Sequence, residues 1–573
     1  MAATASSEEG ADTIVVDYWN GLGGTKTMGG VTGNYHGLQE HVLFKKQARE
    51  LSTLVSDHNM INKVGRQYYH LTNLVNAGGR FFSGAVICGT LVSDHKTEGV
   101  LICRSGKLEL IKADITIDAT GDGDLVAFAG GKYSHGSSRT GKTQDYSQWD
   151  IITGAESFPN TAGHKDYDII DNRKIAELQR GLFLSHYEAR FYDFHPMLSV
   201  RESRRPEGLC TIDLTDAAEG THFTDIVAQA KSDFDPHYVG TTEYTRCGFL
   251  LPHAVEFIPE IPYRTLVPKY LDGMLLTGKG ISQTHLAMQF TRMSPDILVL
   301  GCMTGLVAAN IVRKGIQPRD YEISEIQKEW AAMGFIPRDY ATKKTGNQIN
   351  EASVIEGRVR KLAGGAQEYL FECARLPEEK VLPVLFEHYH HDNADNNKIL
   401  LAKALAWFGQ NEGNNLIEEE LRKMFDEELK QGYPGGYVDT YDDIRGREKN
   451  MLLGLYWRIN QNIALLGMTG NNPAGKTIRY ILENTTSGGG RVYGGDLELF
   501  IGAALARCGS KTGYDLLLNY LNDIHFNFKD LCRSELTALT GKDLGYNVKA
   551  WKKLTEGLSF PQPTRKLVKE IEV

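Results

Sequence analysis

Residues Lys112 to Gly131 read Lys-Ala-Asp-Ile-Thr-Ile-Asp-Ala-Thr-Gly-Asp-Gly-Asp-Leu-Val-Ala-Phe-Ala-Gly-Gly, and the fold turns on this stretch. Ile115, Ile117 and Ala119 alternate with Thr116 and Asp118, the two-residue period of a strand, and Leu125 to Ala129 resumes with helical apolar spacing. Between them Thr120-Gly121-Asp122-Gly123-Asp124 breaks both patterns, so the chain passes from a strand end to a helix start through a glycine turn. In open α/β sheets ligands collect beyond the carboxyl ends of strands, and glycines there let backbone N–H groups come close to a ligand. A plain Gly-Asp turn accounts for the same residues.

Upstream, Ala2 to Gly10 reads as a helix stopped by glycine, and Thr13 to Asp17 reads as a buried parallel strand. A helix entering a strand that ends in an acid is the second half of a dinucleotide-binding βαβ unit, with Asp17 placed to accept from ribose hydroxyls; a strand-end turn residue is the plain alternative. Gly21-Leu-Gly-Gly-Thr-Lys-Thr-Met-Gly-Gly-Val-Thr-Gly33 follows, and Gly33-Asn-Tyr-His-Gly37 puts Tyr35 and His36 either near a substrate or in a surface loop. His41 to Gly78 predicts one or two amphipathic helices, and Arg80 to Asp94 with Glu98 to Ile111 predict strands joined by Asp94-His-Lys-Thr. From Lys132 to Gly248 the pattern is mixed, with Trp149, His186, Tyr192 and His195 among polar turns.

A chain of 573 residues predicts two or three domains, since single cores stop growing at about 250–300 residues. With 41% apolar and 24% charged residues it has the composition of a globular protein, and a net charge of −9 argues against nucleic acid as the main partner. Eight cysteines without a Cys-x-x-Cys pair read as buried free thiols in a reducing compartment. No unbroken run of 18 apolar residues predicts a membrane span, and Met1 to Gly10 has no signal-peptide character, so the expected location is cytoplasmic.

Ile117 to Asp124 resembles the IDATGDGD element of FAD-dependent oxidoreductases of the glutathione-reductase-like superfamily. Gly21 to Gly33 resembles the family's LGGT...GG loop, Arg201-Glu-Ser-Arg-Arg205 its RESRR element and Asp235-Pro-His237 its Asp-x-His. Ile261 to Pro268 and Leu275 to His285 resemble its closing IPYRSLVP and GRCISATH elements, with Lys279 where arginine is usual. The resemblance covers residues 1–315.

It implies an α/β cofactor domain of the FAD/NAD(P)-binding, glutathione-reductase-like type in two parts, residues 1–140 and 249–318, around an inserted α+β substrate domain, residues 141–248. FAD is the implied cofactor. Leu22, Gly23, Gly24, Thr25, Thr27, Met28 and Gly29 would line its pyrophosphate and run under the isoalloxazine ring. Val86, otherwise a core strand valine, would meet the adenine. Ala119, Thr120, Gly121 and Asp122 would lie by the diphosphate and ribityl chain, with Gly278, Ser282 and Met293 completing the set. The family's first strand and Gly-x-Gly-x-x-Gly turn are not in this chain, which begins inside the following helix; either residues precede it or part of the cofactor site is missing.

Ser294 as N-cap and Pro295 as first helical residue open an apolar helix through Ala309, whose positive end the resemblance sets at the flavin pyrimidine edge. Gly301 and Gly305 in that helix also suit close helix packing. Just ahead, His285 and Arg292 are seven apart; in a helix they would share a face beside the flavin, His285 exchanging a substrate proton and Arg292 holding a developing oxyanion. Structural roles, a loop-ordering histidine and an ion-paired arginine, fit the same spacing. Arg201, Arg204, Arg205, Arg264 and Arg292 suggest a polar or anionic small-molecule substrate, or else an ion-pair network.

Beyond Gly315 helical periodicity dominates. Ala404 to Gly409 with Gly413, Ile463 to Gly467 with Gly475, and Ala504 to Gly509 with Gly513 share a pattern that resembles HEAT-like hairpins, an all-α domain over residues 319–573 and a possible surface for a protein partner. Gly470 to Thr477 matches a P-loop without the strand a P-loop needs, and Glu387-His-Tyr-His-His-Asp392 lacks the spacing of a structural metal site, so no metal is expected. The leading expectation is an FAD-dependent oxidoreductase moving a hydride between substrate and flavin; the rival is a flavin-free scaffold acting through its helical array.

Overall fold

The computed structural model describes residues 1–29, 31, 33–57, 62–137, 141, 143–144, 146–150, 164–166, 169–171, 174–183, 194–235, 242–250, 255–343, 349–391, 395–430, 455–471, 473–484, 495–523 and 526–562. His186, Tyr192, His237, Asp392 and the glycine-rich stretches 432–436 and 488–494 lie outside the described residues.

Helix α1 (Ala2–Glu8) leads into β1 (Ile14–Val16), and α2 (Val42–Asp57) and α3 (Asn62–Asn76) carry the chain to β2 (Arg80–Phe82), the parallel partner of β1. The run from Arg80 to Asp94 is two strands, because Gly84 at φ +63° turns the chain between β2 and β3 (Ala85–Ser93). β3, β4 (Lys96–Arg104) and β5 (Lys107–Lys112) form an antiparallel meander. β6 (Thr116–Asp118) then ends at the glycine turn before α4 (Asp124–Phe128).

β7 (Tyr133–His135) pairs with the later β11 (Arg204–Pro206), while β8 (Ser147–Asp150), β9 (His164–Asp166) and β10 (Phe194–Ser199) form a separate antiparallel sheet beside α5 (Ile175–Phe183). α6 (Leu214–Glu219) starts at an Asp213–Asp216 capping box. β12 (Ile226–Gln229) pairs with β13 (Glu260–Pro262), on either side of the short α7 (Glu243–Arg246). β14 (Met274–Leu276) lies parallel to β6, with Leu276 opposite Asp118, so both strands end at the same edge. α8 (Met288–Thr291) and α9 (Ser294–Lys314) follow.

The three residues of β14 are fully buried, and with Ile102, Val227, Leu266, Leu300 and Val307 they make the core of this half. α9 by length and composition only could cross a membrane; 72% of its most apolar 18-residue window is buried inside the protein, which is the setting of a core helix. Gly305 is where α1 crosses it, since a Cβ there would meet the Ala2 carbonyl oxygen at 2.1 Å. The helix begins one residue earlier than its sequence predicts: Met293 is the N-cap, Ser294 is already helical, and no side chain caps it.

The C-terminal half is helix-rich. The three related segments are helix pairs, Asp395–Trp407 with Asn414–Lys430, Leu455–Thr469 with Ala474–Asn484, and Gly495–Arg507 with Lys511–Tyr520. Close packing needs their glycines, because a Cβ on Gly413 would meet Ala402 at 2.3 Å and one on Gly467 would meet Ala504 at 2.8 Å. No strand precedes the P-loop-like stretch: a helix ends at Thr469, and Ala474 to Thr477 already belong to the next helix, where the Thr477 hydroxyl donates to Glu418. Leu214, Phe234, Tyr244, Leu286 and Phe290 share one core with Trp407, Leu466 and Leu505 of this half. Five of the eight cysteines are buried; Cys88 is exposed and Cys103 and Cys210 are half-buried, which corrects the expectation that all are buried.

Candidate functional site

The turn after β6 is organised by Asp118, a residue whose side chain the alternating pattern leaves without a role. Thr116 and Asp118 are the buried positions of the strand, and Ala119 is exposed. Asp118 Oδ1 accepts from the Thr120 amide at 3.2 Å and its hydroxyl at 2.7 Å, and Oδ2 accepts from the Leu125 and Val126 amides at 3.1 and 3.4 Å. Thr120 Oγ1 accepts in turn from the Asp122 and Asp124 amides. Burial raises the Asp118 carboxyl and these bonds oppose it. The amides expected to meet a ligand at the start of α4 are thus taken by two side chains, and the turn offers Ala119 and the backbone of Gly121 as a contact surface. Lys279 lies across Gly121, 2.9 Å from where a Cβ would stand, and its ammonium reaches the Val200 carbonyl at 3.1 Å and Asp122 at 3.5 Å.

The glycine loop lies on α3. A Cβ on Gly21 would meet Gln67 at 2.8 Å, and one on Gly23, at φ +110°, would come within 2.7 Å of Thr27 and 3.1 Å of His70. Thr27 is buried and donates to the Leu22 carbonyl, Gln67 Nε2 lies 3.1 Å from Met28 Sδ, and the Gly29 amide closes back on Gly24. Gly23, Gly24 and Thr25 are exposed, and the side-chain directions of Gly24 and Gly278 open onto free space.

Against α2 is a cavity of about 300 Å³ lined by Asn34, Phe44, Gln47, Leu51 and Arg66, among others. Burial and then the Arg66 guanidinium lower the Lys26 ammonium to about 7. Burial, the Met1 amine and Arg66 hold His70 at about 3, and burial lowers Arg66 itself. Lys26 is buried, and its ammonium donates to the Gly33 carbonyl.

At the start of α9, Asp296 accepts from the Leu38 amide at 2.7 Å and the Lys231 amide at 2.9 Å, and Gly37, at φ +101°, packs on Pro295 where a Cβ would be 2.6 Å away. That docks residues 35–38 over the helix. The Tyr35 hydroxyl donates to the buried Asp233 at 3.0 Å, and burial together with Asp233 and Asp235 holds this phenol well above its ordinary value. His36 bridges Asp233 at 3.4 Å and Glu256 at 3.0 Å. Arg292 donates to the Asp235 carbonyl and carboxylate at 2.8 and 3.0 Å. Burial outweighs the two amide bonds and raises Asp296 to about 7.

His285 and Arg292 do not form the expected helical pair. Only Met288–Thr291 is helical between them, and the two engage different carboxylates. His285 is fully buried, with Nδ1 2.7 Å from Glu202, which also binds Arg205 and the Gln144 amide. Arg204 pairs with Asp124, Arg264 with Asp225 and Arg292 with Asp235. The ion-pair alternative therefore accounts for these arginines and for Arg205. Ser282 is fully buried and binds the Gly208 amide and Thr211 hydroxyl, Asp17 accepts from its own Trp19 amide at 2.9 Å, and Met293 is a buried cap. Val86 is 54% exposed, which removes the core-valine reading and leaves its face open.

A family model described as FAD dependent oxidoreductase matches residues 1–179 and 159–330, together more than half of the 573. This chain belongs to the FAD-dependent oxidoreductase family. The family makes FAD its cofactor and a flavin redox reaction its activity. No curated protein matches. Among solved structures, a geranylgeranyl bacteriochlorophyll reductase-like protein from Thermoplasma acidophilum aligns over 68% of this chain and 93% of its own, at 10% identity and a TM-score of 0.27. The exposed Gly23, Gly24 and Thr25, with open space over Gly24 and Gly278, would suit the diphosphate of this cofactor. Asp118, Lys26, Arg66, His70, Asp233 and Asp296 are the residues sequence reasoning missed. Asp118, Lys26 and Asp296 lay inside motifs already quoted, Arg66 and His70 inside the predicted helices between His41 and Gly78.

Proposed function

We propose that this oxidoreductase is of the glutathione-reductase-like type and exchanges a hydride between flavin and a small hydroxyl- or carbonyl-bearing substrate at the start of α9. Residues 1–140 and 249–318 form the cofactor domain, 141–248 the substrate domain, and 319–573 a HEAT-like array. The two parallel strand pairs, β1 with β2 and β6 with β14, and the intervening meander support that arrangement.

The observation that carries the reaction is the grouping of Tyr35, His36 and Arg292 on Asp233 and Asp235 at the foot of α9. When bound, FAD supplies two-electron chemistry. His36, partly exposed between two carboxylates, takes or gives the substrate hydroxyl proton. Arg292, held by Asp235, fixes the substrate oxygen and favours its developing negative charge. Tyr35 stays protonated and donates to Asp233, which keeps that carboxylate oriented toward His36. His285, enclosed with Glu202 and Arg205, positions the loop after β14. Because Arg204, Arg205, Arg264 and Arg292 are paired with acids and acids predominate around His36, the substrate is uncharged and polar rather than anionic.

The test is anaerobic single-turnover bleaching of FAD-loaded protein by a panel of polyols and hydroxy acids, with His36→Ala and His285→Ala. The expected outcome is bleaching by a polyol, slowed at least ~100-fold by His36→Ala with flavin retained, the typical scale of lost acid–base catalysis. Loss of bleaching in His285→Ala but not His36→Ala rejects the assignment, and protein that takes up no FAD rejects the enzyme reading of this polypeptide.

A further inference from the structure

A second cavity, of about 220 Å³, lies where the cofactor half meets the helical half, lined by Leu214, Thr215, Tyr244, Leu286, Arg375 and Phe408, among others. None of these residues enters the site described above. Its walls are largely aliphatic and aromatic. Tyr244 stacks on Trp407 at 4.9 Å between ring centres and meets Phe371 edge-on at 5.4 Å, so the wall it forms is rigid.

Thr215, Tyr244, Arg375 and Glu378 break this apolar lining, and two of them carry donors without a partner among the described residues. The Arg375 side chain is only 3% exposed, and its Nε makes no hydrogen bond, although Nη1 pairs with Glu219 and Nη2 with Glu372. The Tyr244 hydroxyl makes no hydrogen bond among the described residues either, and burial raises it to about 12, so it keeps its proton. A buried guanidinium N–H without a partner is costly and calls for an acceptor. The charge in this corner is balanced, because Arg358 and Arg375 face Glu219 and Glu372. With Glu378 on the rim as well, an anion gains no net attraction there.

We propose that this cavity is a binding site for a small uncharged carbonyl compound with a compact apolar body, its oxygen accepting from Arg375 Nε–H and the Tyr244 hydroxyl. At roughly 30 Å³ for each water-sized group the space takes about seven non-hydrogen atoms. Occupancy joins the two halves through one ligand, since Leu214, Tyr244 and Leu286 come from one and Arg375 and Phe408 from the other. The site is independent of the reaction proposed at α9.

The experiment uses the full chain with three seven- to nine-atom probes, cyclohexanone, methylcyclohexane and cyclohexanecarboxylate, followed by thermal shift and ligand-observed NMR titration. Thr215→Phe fills the cavity from a half-exposed helix position, and Tyr244→Phe removes one donor while keeping the ring. Cyclohexanone is expected to bind with a dissociation constant on the order of 1 mM, at ligand efficiencies usual for fragments. Methylcyclohexane and cyclohexanecarboxylate are expected to bind at least tenfold more weakly, Tyr244→Phe to lose about tenfold, roughly one hydrogen bond, and Thr215→Phe to abolish binding. Methylcyclohexane within threefold of cyclohexanone, tighter binding of the carboxylate, binding unchanged in Thr215→Phe, or no binding by any probe each overturns the proposal.

Discussion

Lys26 shows what burying a single ammonium does to the pH dependence of stability. Its folded value of about 7 lies below the usual 10.5, so the unfolded chain binds more protons between the two and stability rises with pH across that window. Below 7 the protein carries the full cost of a buried ammonium beside Arg66. Lys26→Met should therefore raise the urea midpoint of the FAD-free protein more at pH 6 than at pH 9. A mutant less stable at pH 6 contradicts this. Asp296 has the opposite sign: its folded value of about 7 lies above the usual 3.8. The folded protein binds the extra proton, and that contribution is lost as pH rises from 3.8 through 7. Asp296→Asn cannot titrate, so the stability difference between wild type and mutant should fall from pH 5 to pH 8; a constant difference across that range contradicts the raised value.

Helix α9 sets the geometry of the elements around it, and its two glycines are not equivalent. A Cβ on Gly305 would be 2.1 Å from the Ala2 carbonyl oxygen, whereas one on Gly301 would have its nearest neighbour at 3.5 Å. Gly305→Ala should push α1 off the helix at a cost of about 1–3 kcal/mol. Gly301→Ala should be neutral or stabilising by up to ~1 kcal/mol from helix propensity. Thermal denaturation of the two variants separates the cases, and equal melting temperatures would show that α1 does not dock as described. At the β6–α4 junction, Asp118→Ala strips four donors of their acceptor and should cost on the order of 2 kcal/mol.

At the scale of the whole molecule, the cofactor half is joined to the helical half by a shared core and by the Glu219–Arg358–Arg375–Glu372 quartet. Burial pushes Glu219 up, but the two guanidiniums outweigh it and hold the carboxyl below its usual value. Its contribution is therefore present above the ordinary glutamate range and lost as pH falls through the folded value. Glu219→Gln leaves two arginines short of a counter-charge and should cost about 3–5 kcal/mol at pH 7, the penalty of breaking a buried pair. Differential scanning calorimetry should then show the single transition split, with the helical half melting apart from the cofactor half. An unsplit transition at the wild-type temperature would mean that the apolar contacts alone hold the halves together.

Local patterns along the sequence determined the strand at Thr116–Asp118, the turn and the helix after it, the β1 strand just ahead of Asp17, the apolar helix behind Met293 and the helix-rich second half. Each is a matter of periodicity or of glycine placement within a dozen residues, which the chain carries whatever it packs against. The family, too, was legible, because its elements are contiguous stretches. Only the tertiary structure decided which side chains are available for chemistry. His285 and Arg292 are seven apart in sequence, yet each is claimed by a carboxylate 83 or 57 residues away, Glu202 and Asp235. Arg204, Arg264 and Arg292, three of the arginines that suggested an anionic substrate, are neutralised by acids from other segments, and His36 meets Asp233 and Glu256 across about two hundred residues. Charge pairing depends on distance in space and on burial, and neither quantity is written in the spacing of a single chain.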